Sequence, residues 1–172
     1  MLMRFVLLLS LLAVQPVLFA AETSEGTSSE SDISEVPETL KDARTTMQTF
    51  VNAMAAVSEG EKGQIEIAIS TMDLSYLPAV IRQQKGRGLS TILLSVIERS
   101  KTVVLNQIPR QPKGDKYIFG RYSQGNVTIL KQADGRWLFS QTSLRALPDI
   151  LEGLLDAPAK NGTKDPKVVL PF

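Results

Sequence analysis

The sequence predicts an α+β fold in which N-terminal helices pack on a small antiparallel sheet of three to four strands, closed by a C-terminal helix. Two observations carry that expectation. Apolar residues recur at helical spacing through the first half of the chain, as in Met47, Phe50, Val51 and Met54. Beyond about residue 102 the pattern changes to short β-branched and aromatic runs, two of them flanking Asp134-Gly135, a pair suited to a tight reversal.

Each element follows from a local pattern. "ARTTMQTFVNAMAAV", from Ala43, places its apolar residues at i, i+3, i+4 and i+7 on one stripe of a helix. After the "SEGEKG" break, Ile65, Ala68, Ile69 and Met72 repeat that spacing. "LPAVIRQQ" reads as a short helix or turn opened by Pro78. A third helix is expected to start after Gly86 and Gly88, with Leu89, Ile92, Leu93, Val96 and Ile97 as its stripe.

Strands are expected at "TVVLNQ", "YIFGRY", "NVTILK" and "RWLFS". On them Val127 and Ile129 share one face, Thr128 and Leu130 the other, and Trp137 and Phe139 alternate with Leu138. One sheet face is expected under the helices and the other more open. Ser140 is placed to cap a helical turn beginning at Gln141, and Pro148 to open a last helix as its first residue, with Leu147, Ile150, Leu151, Leu154 and Leu155 as the apolar face. The core candidates are Phe50, Ile69, Leu93, Ile97, Val127, Ile129, Trp137, Phe139 and Leu147.

The flanks have a different composition. Arg4 precedes an apolar run from Phe5 that continues past Gln15 and Pro16 to Ala21, the pattern of a secretory signal peptide over residues 1–21. Residues 22–40 are rich in Ser, Thr and Glu and are expected to be a disordered acidic linker; residues 41–157 then form one α+β domain and residues 158–172 a flexible tail. Localisation is accordingly expected to be extracytoplasmic, periplasmic or secreted, with no membrane span after signal cleavage. Between Glu22 and Asp42 there are seven acidic residues and one basic, whereas Ala43 to Phe172 holds seventeen basic and eleven acidic. Some of the basic residues cluster, in "RQQKGRG" and "RSK". Such a body is compatible with anionic lipid or cell-wall polymer, or with an ordinary solvated surface shielded by its own acidic segment.

The inventory of reactive groups is short. With no His and no Cys among 172 residues, the chain lacks the usual general base at neutral pH, the usual transition-metal ligands and a thiol nucleophile, and it forms no disulfide. No carboxylate pair sits in an apolar setting that would drive two pKa values apart. Asp73 in "MDLSYLP" is placed to cap the turn that follows it, and Glu98 lies near a helix end, solvated or paired with Arg82 or Arg99. The "KGRG" glycines lack the spacing and the Lys-Ser/Thr of a phosphate loop and are read as the start of a helix. No catalytic, cofactor-binding or metal-binding residue is assigned, and no cofactor or nucleic-acid partner is expected.

The order of three segments carries a resemblance. "RTTMQTFVNAM", then "AISTMDLSYLPAVIRQQKGRGLSTILLSVIERSKTVVLNQIPRQP", then "YIFGRYSQGNVTILKQADGRWLFSQTSLRALPDI" resembles the extracytoplasmic N-terminal region of bacterial MscS-type mechanosensitive channel proteins, over about Ala43 to Leu155. Where such channels continue into membrane helices, this chain reads "DAPAKNGTKDPKVVLPF", so the resemblance implies the role of the outer domain and not ion conduction. The expected function is a non-catalytic extracytoplasmic interaction or sensing module, free or beside a channel-like membrane protein or another envelope component. The alternative is a small ligand-binding or carboxylate-dependent enzyme domain, which requires a pocket between helices and sheet lined by Tyr117, Tyr122 or Trp137 and at least two inward acids.

Overall fold

A computed structural model describes residues 35–156. The expected signal peptide, residues 22–34 of the expected linker and the expected tail lie outside the described residues. Four α-helices and one antiparallel sheet make up the described part: α1 (Ala43–Ser58), α2 (Gln64–Ser70), α3 (Ala79–Ser100), β1 (Lys116–Tyr122), β2 (Gly125–Lys131), β3 (Trp137–Phe139) and α4 (Gln141–Asp156). The architecture is α+β, with the C-terminal helix following the sheet.

The chain is ordered earlier than the expected domain start. Glu38–Leu40 forms a short 3-10 turn and buries Leu40, and Thr49 on α1 donates its hydroxyl to the Thr39 carbonyl. Asp42 then starts α1 with a reciprocal cap: its carboxylate accepts from the Thr45 N–H while its own N–H donates to the Thr45 hydroxyl. The stripe of α1 points inward, with Met47 and Phe50 fully buried.

Three local expectations differ from the structure. First, no helix starts after the glycines. Helix α3 runs unbroken from Ala79 to Ser100 with Gly86 in its first half, because a Cβ there would come to 3.0 Å from Ile69 Cγ2 and from Leu74 Cδ1. The glycine thins α3 where α2 and the loop after it cross. Secondly, "TVVLNQ" yields no ladder strand; Leu105–Gln107 closes as a 3-10 turn, and Arg44 on α1 holds the segment through the carbonyls of Asn106 and Ile108. Thirdly, Pro148 lies inside α4 and not at its start. Its missing N–H leaves the carbonyl four residues earlier without a helical partner, but buried Leu144, Leu147 and Ile150 on one stripe bind the two halves to the same core.

The sheet has the order β1-β2-β3, with Ile129 opposite both Tyr117 and Phe139. Hydrogen bonds from the Asp73 N–H to the Phe139 carbonyl (3.0 Å) and from the Phe139 N–H to the Thr71 carbonyl (2.9 Å) dock residues 71–73 along β3. That contact covers the outer edge of β3, the kind of unpaired edge that otherwise invites strand addition. The core lies between the face carrying Val127, Ile129 and Phe139 and the helices, and the Phe50 and Phe139 rings meet edge to face at 5.4 Å.

All nine core candidates are buried. The second sheet face is less open than expected, since Thr128 and Leu138 on it are buried too. The segment before α1 runs past the β2–β3 turn, close enough that a Cβ on Gly135 would lie 2.9 Å from Val36 Cγ2.

Candidate functional site

The segment "GRWLFSQTSLRALPDI" is a corner of the core. Asp134 accepts from the Arg136 N–H (3.0 Å) and from its guanidinium, closing a reversal in which Gly135 takes φ 86°. Trp137 follows, 3 % exposed, with its carbonyl accepting the buried Thr46 hydroxyl of α1 at 2.7 Å. Ser140 then caps α4 by accepting from the Ser143 N–H, and the Ser143 hydroxyl in turn accepts from the Thr128 N–H of β2. Ser140 and Ser143 are 2.8 Å apart through their hydroxyls. These bonds tie α1, β2, β3 and α4 at one point and leave no surface on which Trp137 would stack a ligand.

A second polar cluster sits beside that corner. Asp73 accepts from the Ser75 hydroxyl (2.6 Å) and N–H (3.1 Å), and Gln141 at the start of α4 donates to its other oxygen at 3.0 Å. The expected cap on the turn after Asp73 is present, and Gln141 extends it into a bridge between that turn and α4. Burial raises the Asp73 pKa, but hydrogen bonds from Ser75 and Gln141 and the nearby Arg136 charge outweigh it and hold the carboxyl below its ordinary value. A depressed folded-state pKa means that the stabilisation is present above the unfolded value of about 4 and is lost as pH falls through the folded one. Acid unfolding of the wild type is therefore expected to steepen below about pH 4, and Asp73→Ala to cost about 1–2 kcal/mol at neutral pH with a flatter acid limb. Denaturant titrations across pH measure both.

A groove of about 370 Å³ lies between the end of α3 and β1, lined by Ser100, Lys101 and Ile118–Tyr122. A β-bulge builds its floor. Thr128 faces Ile118 and Val127 faces Gly120, so Phe119 is the extra residue; it is buried, and the Lys101 ammonium lies 4.8 Å over its ring. The Tyr122 ring lies across Gly120, where any Cβ would overlap it. The Ser100 hydroxyl, which donates to the Val96 carbonyl, also meets the Tyr122 hydroxyl at 2.5 Å. Burial pushes the Tyr122 pKa above its ordinary value, although the Ser100 bond opposes this, so the phenol stays protonated at neutral pH and is no general base.

No carboxylate lines the groove. Glu98 is exposed, with neither Arg82 nor Arg99 in ion-pair contact with it, because Arg82 is turned toward the carbonyls of Leu74 and Leu77. Among the described residues no group of three or more Asp or Glu side chains is arranged to hold a metal ion. The isolated glycine of "YIFGRY" was the available signal for the bulge; the Lys101–Phe119 contact and the Gln141 bridge had none. No family model, curated protein or solved structure matches the chain.

Proposed function

We propose that this chain is a non-catalytic extracytoplasmic interaction or sensing module, similar in role to the outer domain of MscS-type channel proteins and acting free or beside a channel-like or other envelope partner. The observation that supports this reading is the use made of the interior. Trp137, the aromatic best placed to stack a ligand, is buried in the core, and its neighbours' polar groups are spent on each other. The two acids nearest the core also have structural work, Asp42 as the cap of α1 and Asp73 as the latch between turn and α4. Tyr122 lines a groove that carries Lys101 and Arg121 and no acid, so the acid pair needed for carboxylate-dependent catalysis is missing there.

Photo-crosslinking in the cell envelope tests the proposal. A benzophenone residue replacing exposed Arg121 in the groove should give one discrete adduct with an envelope component, while the same residue at exposed Asn52 on α1 should not. A protein that forms no adduct from any exposed position, yet is strongly stabilised by a small molecule, would be a ligand-binding domain instead.

A further inference from the structure

The cluster "RQQKGRG" singled out in the sequence falls on an unusual part of the fold. The seven residues from Ala79 to Lys85 are all exposed, so the first two turns of α3 project from the body. Projection of a helix is ordinarily tolerated by a polar surface. Here it carries Val80, 92 % exposed and the most exposed large apolar residue described, followed by Ile81 at 38 %. Behind them come Arg82, Lys85 and Arg87. Arg82 bonds to the loop carbonyls of Leu74 and Leu77, Arg87 pairs with Glu66, and Lys85 has no ion-pair partner among the described residues. No acidic residue offsets these three cations within α3 before Glu98.

From this arrangement we infer that the projecting end of α3 docks on an anionic lipid surface. All seven residues of this stretch are exposed, so no face of it is packed on the body, and it presents the β-branched Val80 and Ile81 to solvent. A headgroup layer deforms around such a protrusion, taking the apolar side chains to the acyl boundary while lipid phosphates meet the cations behind them. The charge complements an anionic surface and repels a cationic one. This surface is separate from the Ser100–Tyr122 groove and does not depend on the module reading, since a ligand-binding domain would dock in the same way.

The absence of cysteine allows a test in the full chain that reads one position at a time. Val80→Cys is labelled with an environment-sensitive dye, and Ser123→Cys serves as the reference. Ser123 is exposed in the β1–β2 turn and follows Tyr122, which bonds Ser100 at the other end of α3, about 30 Å along a helix of this length. Vesicles containing phosphatidylglycerol should shift the emission of the dye at position 80 to the blue and protect it from aqueous quencher, with little change at position 123. Pure phosphatidylcholine should do neither, high salt should weaken the effect, and Lys85→Glu should raise the half-maximal lipid concentration roughly tenfold. No shift at position 80, an equal shift at both positions, or a shift obtained only with protein-containing membrane extracts overturns the inference. The last outcome would assign the surface to a protein partner. Reading single positions keeps the result independent of any binding by the apolar run at residues 5–21.

Discussion

Trp137→Ala is expected to destabilise the domain by about 3–5 kcal/mol, the range for removing a large buried aromatic, and to broaden or abolish cooperative unfolding. The expectation rests on position as well as burial. Trp137 begins β3 opposite Lys131, and its carbonyl accepts the Thr46 hydroxyl from α1, so the residue ties the sheet to the first helix through its backbone while its ring fills space. A cavity beside that junction loosens β3, and β3 holds both Phe139, packed on Phe50, and the docked segment 71–73. Urea unfolding of the variant measures the effect. Near-wild-type stability would mean that the ring lies outside the core and would reopen the segment as a binding platform.

The two glycines of α3 make an opposed pair. Gly86→Leu is expected to cost about 1–3 kcal/mol, because the added atoms must displace Ile69 and Leu74, already within 3.1 Å of where a Cβ would sit. Gly88→Ala, two residues on in the same helix, is expected to stabilise by about 1 kcal/mol. A Cβ there meets nothing within 4 Å, and alanine lowers the conformational cost of a helix interior. Thermal unfolding of the two variants should therefore bracket the wild type. Stabilisation by both substitutions would show that α2 and α3 do not cross closely at Gly86.

Most of the fold was legible because each element has a single apolar stripe or a clear alternation. The stripes of α1 and α2 name their buried residues directly, whereas β2 buries Thr128 between Val127 and Ile129, and of the expected α4 face Leu147 and Ile150 are buried while Leu155 is exposed at the helix end. Where the reading departed from the structure, a tertiary contact had overridden a local preference. The glycines of "KGRG" look like a break, but Gly86 is small because another helix passes there. Pro148 looks like a first helical residue, but packed leucines on both sides carry α4 through it. "TVVLNQ" has strand composition, but Leu105–Gln107 closes as a 3-10 turn and Arg44 pins the carbonyls at 106 and 108. The groove was hardest to foresee, because it depends on a one-residue bulge that brings Phe119 under Lys101. The Asp73 latch was half visible: the turn to Ser75 is local, whereas its bond to Gln141 spans sixty-eight positions.

The "GRWLFS" corner is closed core and not a site. The chain has one tryptophan, so its fluorescence reports on that corner alone. In the folded protein the emission of Trp137 is expected to be blue-shifted and resistant to acrylamide quenching. Both properties should be lost together with circular dichroism in a single unfolding transition. Emission characteristic of a solvated indole in the native state, quenched as readily before unfolding as after it, would contradict the account.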